Sequence, residues 1–271
     1  MKKTGMSKII LAALTAALLL TVLSGCAPRE QGGDRSLQKV LDAGQFVLGL
    51  DTEFPPRGFV DENGEIVGFD IDMAREVCSR LGVKLVLQGI NWDEKEKLLD
   101  RGDIDCIWNG MSVTPAREAS MCLSEPYMKN ELIAVVRGDS GILTLKDLKG
   151  RKIGVQLGSS AYDALRESET GKSARIIPCD NVVAIIEELV NQSIDAALID
   201  SVVAYYYIFS ISGSYYILPE SFDEEEYAIG FRKNDYALRN RVQEIISEMK
   251  ADGTLGNISR KWFGSDITIV K

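Results

Sequence analysis

Histidine is missing from the whole 271-residue chain. That absence removes Ser–His and Cys–His nucleophilic machinery and any zinc site built on imidazole. Cysteine is scarce. The five present, Cys26, Cys78, Cys106, Cys122 and Cys179, form no CxxC pair and match no zinc-ligand spacing. Cys78 lies in a helical apolar pattern and Cys106 in a strand pattern, which points to buried thiols. A Cys106–Cys122 disulfide stays open as the alternative for an exported protein. No metal and no cofactor is expected. Positive charge is also short, because 31 Lys and Arg against 40 Asp and Glu leave a net charge of −9. That balance opposes nucleic acid or an anionic membrane surface as a partner. Only one long apolar run exists, residues 9–23. It is shorter than the roughly 20 residues that span a bilayer.

What the chain does contain begins with that run. Lys2, Lys3 and Lys8 precede it, and it closes on Leu23, Ser24, Gly25 and Cys26. A basic start, an apolar stretch and small residues are the marks of an export signal. Small residues ahead of a cysteine resemble a bacterial lipobox. Residues 1–25 are therefore expected to be a lipoprotein signal peptide, with Cys26 the diacylated, palmitate-bearing start of the mature chain. An ordinary signal peptide that ends near a cysteine is the alternative. Removing 1–25 takes three lysines and no acid, so the mature net charge is −12. Residues 26–36, rich in glycine and polar side chains, read as a flexible tether.

Beyond the tether, apolar strands alternate with helical patterns, the signature of an α/β protein with largely parallel sheets. The first half offers strands at 46–50, 85–87 and 104–108. Its helices are one capped by Asp70 and stopped by Gly82, and one capped by Asp93 and ending at Gly102. The pattern restarts with strands at 132–136, 152–155 and 196–199, an extended stretch at 175–177, and helices at 145–149, 160–168, 182–190 and 201–209. Residues 228–231, a helix over 235–250 and a last helix ending at Gly264 have no third sheet to join. They are expected to return to the first half, giving two lobes and a cleft between them. Lobe 1 is then 37–129 with 229–271, and lobe 2 is 130–228.

Residues 109–117 are the most informative stretch. Thr114 as N-cap and Pro115 at the first helical position start a helix. Arg117 then sits in the first turn, where the helix dipole disfavours a cation by about 0.3–1 kcal/mol. An arginine so placed suits an anion, and the Ser112 hydroxyl and free backbone N–H groups suit a carboxylate. A solvated Arg117 paired with Glu118 or Glu125 is the bland alternative. Other polar candidates also follow strands: Asp51, Asn109, Gly110, Gln156, Ser159, Ser160 and Asp200, with the aromatics Phe54 and Trp92 beside them.

Several ordered segments carry a resemblance: 49–56, 67–72, 105–117, 124–127, 154–160, 195–200, and 251–255 through Trp262, Phe263 and Gly264. The chain resembles the polar amino-acid-binding proteins of the ABC-transporter solute-binding class, bacterial extracellular solute-binding protein family 3, in its lipoprotein form. The resemblance covers about residues 44–265. It implies a two-lobe periplasmic-binding-protein-like fold, each lobe a mostly parallel sheet flanked by helices. It also implies an amino-acid transport function: an extracytoplasmic receptor, lipid-anchored to the cell membrane, that closes over a free amino acid and delivers it to ABC permease and ATPase subunits as a monomer. It is not an enzyme on this reading.

By the same resemblance, Arg117 clamps the ligand α-carboxylate with Ser112 and the Ser160 backbone. Asp200 accepts the α-ammonium with the Gly110 carbonyl, and Phe54 and Trp92 sandwich the side chain. Asp51, Asn109 and Gln156 set selectivity. They fit a polar or basic L-amino acid of the arginine, lysine or histidine type, or of the glutamine or cystine type. Glu53 is expected to face away, since neighbouring residues on an extended chain point to opposite sides. Simple capping by Ser159, Ser160 and Asp200 and core packing of the aromatics are the alternatives. Two departures from the family pattern, Arg57-Gly58-Phe59 and Leu123-Ser124-Glu125, bear on cleft shape. Rival functions are an amino-acid sensor without transport, and a dehydratase-type enzyme on the same fold using Asp51 or Glu53.

Overall fold

The computed structural model describes residues 33–208 and 213–271. The expected signal peptide, Cys26 and tether residues 26–32 lie outside them. Residues 33–35 carry no helix or strand, and the compact unit is Ser36–Lys271. Ser36 opens α1 (Ser36–Ala43), and its hydroxyl accepts from the Leu238 N–H at 3.0 Å. α1 thus takes in the last residue of the stretch expected to be tether.

β1 (Gln45–Leu50) buries Phe46, Leu48 and Leu50 at a period of two. Burying each such side chain contributes about 1.5–3 kcal/mol. A small separate sheet follows from β2 (Glu53–Phe54), β3 (Gly58–Val60) and β4 (Ile66–Val67). α2 (Phe69–Leu81) lays Ile71, Ala74, Val77 and Cys78 into the same core and ends at left-handed Gly82. β5 (Lys84–Gly89) returns parallel to β1. After a single 3₁₀ turn at Trp92–Glu94, α3 (Lys95–Arg101) stops at Gly102, and β6 (Cys106–Ser112) joins the other side of β1. α4 (Pro115–Ser120) and β7 (Met121–Leu123) complete this half.

β8 (Met128–Arg137) leads into the second half. There β9 (Lys152–Gln156), α5 (Ser160–Glu167), α6 (Glu169–Ser173), β10 (Arg175–Cys179), α7 (Val182–Val190), β11 (Ala196–Asp200) and α8 (Ser201–Ile208) repeat the alternation. β9 is parallel to both β10 and β11. β12 (Tyr215–Ile217) pairs with β8, and β13 (Asp223–Arg232) leads back. The tail, α9 (Tyr236–Ala251) and α10 (Thr254–Phe263), buries Leu238, Val242, Ile245 and Leu255 in the core of the first half, as its lack of a third sheet predicts.

The mostly parallel sheets of the two halves, β5-β1-β6 and β10-β9-β11, are not separate. They are continuous through β8 and β13, in the order β10-β9-β11-β8-β13-β6-β1-β5. β8 and β13 pair antiparallel from Tyr227 opposite Met128 to Asp223 opposite Leu132. The expected lobe boundaries fall inside these two strands.

Two local readings need correction. Asp70 is not a cap: Gly68 holds that position, and Asp70 is buried in the first turn of α2. Asp93 is not a cap either, because the Asn91 side chain accepts from the Asp93 N–H. Cys78 and Cys106 are buried thiols, as their sequence patterns point to, and the alternative Cys106–Cys122 bond is not formed. Among the described residues no helix is long and apolar enough to cross a membrane.

Candidate functional site

The eleven site residues read from the sequence, scattered from Asp51 to Asp200, line one cavity. Strand geometry gathers them. Asp51 follows the last residue of β1, Asn109 to Ser112 end β6, Gln156 ends β9 and Asp200 ends β11. The sequence places several of these just past their strands; the strands run further because the polar residues keep the ladder.

At one end sit Arg117, Ser112 and Ser160, all buried. Thr114 caps α4 by accepting from the Arg117 N–H at 3.2 Å, which turns the guanidinium inward. Arg117 Nη1 donates to the Ser112 carbonyl at 2.7 Å, and Nη2 reaches the Gly158 carbonyl at 3.4 Å. The Ser160 hydroxyl donates to that of Ser112 at 3.0 Å, and Ser112 donates to Glu225 Oε2 at 2.7 Å. Ser159 is committed to capping: it accepts from the Tyr162 N–H at 3.0 Å and donates to the Gln156 carbonyl at 2.7 Å.

Asp200 forms a second pole. It accepts from the Asn130 amide, which also reaches Glu225 Oε2 at 3.1 Å. Asn130 and Glu225 are register partners on β8 and β13, which places both beside Asp200. Nearby, the Gly110 N–H donates to Asp70 Oδ2 at 2.8 Å. Gly110 has φ +62°, and an added Cβ would lie 2.9 Å from the Phe54 ring. Only glycine fits there without strain.

The third pole is Asp51. Its Oδ2 accepts from Gln156 Nε2 at 2.7 Å, and its Oδ1 accepts from the Glu53 N–H at 2.9 Å. Asn109 accepts from the Asp51 N–H at 3.1 Å and so holds this turn. Glu53 is exposed and lines a separate depression with Tyr206 and Tyr207. The turn at Asp51 produces that outcome, since the chain is not a regular strand there and alternation is not the cause. Phe54 packs into the second half with Ile133, Val182 and Ile199, while Trp92 packs with Leu99, Ile104 and Ile107. Both aromatics therefore serve core and cavity at once.

Residues 46–265 match the model of the bacterial extracellular solute-binding proteins, family 3. The chain belongs to this family. Among relatives of this solute-binding family, the L-cystine-binding protein TcyJ of Escherichia coli K12 is 31% identical and is matched over 94% of this chain and 96% of its own. A solved structure, Tv2483 bound to L-arginine, superposes with TM-score 0.85 at 33% identity, covering 88% of this chain and 98% of that one. A Streptococcus pneumoniae ABC uptake substrate-binding protein with bound histidine gives TM-score 0.81 at 36% identity, over 88% and 99%.

Burial dominates the electrostatics of this cavity. It raises the Asp51 carboxyl, against the Glu53 N–H and the Gln156 amide. It raises Asp200 to about 7, helped by Glu225 and opposed by Tyr227, Asn130 and Arg57. It lowers Arg117, against the pull of Glu225, Glu96, Asp163 and Asp200.

Sequence reasoning missed a supporting layer. Arg57 is fully buried, 3.7 Å from Asp70, with its guanidinium 4.5 Å from the Tyr227 ring centre. Asp70 also accepts from the Tyr127 hydroxyl at 3.0 Å. A signal for Asn130 did exist. From Met128 the burial alternates, with Met128, Asn130 and Leu132 inward and Lys129 and Glu131 outward. For Arg57 the only signal was its departure from the family pattern, and its partners could not be read because they come from distant segments.

Proposed function

We propose that the protein is the extracytoplasmic receptor of an ABC importer. Its two lobes, 37–129 with 229–271 and 130–228, close over one free polar or basic L-amino acid. One observation carries this reading: a single cavity holds a buried guanidinium, Arg117, apart from a half-buried carboxylate pole, Asp200. A zwitterion is the ligand those two charges complement.

The α-carboxylate takes Arg117, Ser112 and the Ser160 backbone at the start of α5. The α-ammonium takes Asp200 and the Gly110 carbonyl. Each charge-assisted bond contributes about 1.5–3 kcal/mol. Phe54 and Trp92 flank the side chain, and Ser159 shapes the wall through its cap. A donor on the ligand replaces Gln156 Nε2 on Asp51, which favours arginine, lysine, histidine, glutamine or cystine over acidic ligands. Relatives named for cystine, and structures holding arginine or histidine, support that range. The role is binding and delivery rather than catalysis, with permease and ATPase subunits as partners. The receptor acts as a monomer held to the membrane by a lipid on Cys26.

A thermal-shift screen against the common L-amino acids and cystine tests the proposal. A ligand at 100 times its Kd adds about 2.7 kcal/mol of stability, a clear rise in Tm. A panel in which no amino acid moves the Tm refutes it.

A further inference from the structure

Arg117 has a buried cationic neighbour that the scheme above does not use. Lys95, the first residue of α3, is 3% exposed. Its ammonium donates to the Trp92 carbonyl at 3.1 Å within its own half. Across the cleft it donates to the Gly158 carbonyl at 2.7 Å. Arg117 Nη2 reaches that same carbonyl at 3.4 Å. Two buried cations thus converge on one neutral oxygen, at the wall where α5 begins.

Neither cation has an ion-pair partner among the described residues. Burial and the Arg117 charge hold the Lys95 ammonium down to about 8, while Glu96, Asp93 and Asp163 pull the other way. Those three carboxylates are exposed to solvent. An ammonium has three donors, and two are committed here to neutral carbonyls. The backbone is fixed at this point too. Gly158 has φ +72°, and a Cβ on it would lie 2.8 Å from the Asp93 Cα. The halves therefore meet here almost backbone to backbone.

We propose that Lys95 is a second counter-charge for the ligand carboxylate and makes lobe closure conditional on that carboxylate. The inference rests on the amino-acid-receptor reading. Closing the empty cleft brings two like charges out of water with no ion-pair partner in contact with either, which is unfavourable. A carboxylate seated on Arg117 compensates both. Lys95 is not among the residues lining the cavity, so it acts on that carboxylate by its charge, from behind the Gly158 carbonyl it shares with Arg117. Ligands without the carboxylate leave the two cations opposed and the cleft open.

The test compares an amino acid with its own carboxamide by calorimetry. The probe is whichever of L-arginine, L-histidine and L-glutamine binds, with wild type, Lys95→Met and Lys95→Arg measured side by side. The expected result is that the acid-over-amide preference falls about tenfold in Lys95→Met, the order of one charge-assisted contact, and recovers in Lys95→Arg. Small-angle scattering of ligand-free Lys95→Met is expected to register a more compact, closed population than wild type. If Lys95→Met does not fold, the same ratio in Lys95→Gln decides. An unchanged preference overturns the role of Lys95 while leaving the receptor reading intact. Failure of wild type to bind any amino acid overturns both.

Discussion

Replacing Arg57 with methionine isolates the charge that supports Asp70 behind the cleft. Both side chains are fully buried and 3.7 Å apart, and the guanidinium also contacts Met128 Sδ at 2.7 Å. At an effective dielectric of about 20, this pair attracts by about 4 kcal/mol. Even with that help, burial raises the Asp70 carboxyl to about 6. A buried acid raised in the folded state binds its proton more tightly there than when unfolded. Stability is therefore greatest below the unfolded value of 3.8 and declines as pH rises to about 6. Without Arg57 the carboxyl holds its proton over about three further pH units. The decline in Arg57→Met then continues well past pH 6, at up to about 1.4 kcal/mol per pH unit. Urea denaturation of both proteins from pH 4.5 to 9 measures this directly. The stability gap is expected to widen steadily above pH 6, and Arg57→Met with Asp70→Asn is expected to remove the widening. A gap that stays constant across the range refutes the coupling.

Three further outcomes follow from the cleft. Arg117→Ala is expected to weaken amino-acid binding by about 10- to 150-fold in calorimetry, the loss of one charge-assisted contact or more. Asp200, raised to about 7, must ionise to hold an ammonium, so the affinity for arginine is expected to fall as pH drops from 8 to 5.5. Asp200→Asn binds weakly with no such slope in the same titration. Gly110→Ala forces φ +62° on a residue with a Cβ and presses on Phe54. It is expected to cost about 1–2 kcal/mol or more in denaturant melts and to weaken binding as well.

The architecture was legible because its signals were local. Helix stops at Gly82 and Gly102 and the Thr114–Pro115 start needed only neighbouring residues, and the structure has all three. The cavity residues were legible because polar side chains at strand ends of an α/β sheet have few structural reasons to be there. What failed was caps and long strands. Asp70 and Asp93 look like caps, yet Gly68 and Asn91 take those positions. β8 and β13 were shortened because Lys129, Glu131 and the Glu224–Glu226 run break the apolar pattern that a one-sided strand does not require. Arg57 was legible only as a departure from the family pattern bearing on cleft shape, not as a buried partner of Asp70. Its burial depends on Phe69 and Asp70, Tyr227, and Phe263 meeting from three separate segments.

Isothermal titration of the purified protein with L-arginine, L-histidine, L-glutamine and L-cystine tests the central claim most directly. At least one of the four is expected to bind with one-to-one stoichiometry, and the signal is expected to collapse in Arg117→Ala. No heat from any of them, or full-strength binding by Arg117→Ala, contradicts the account.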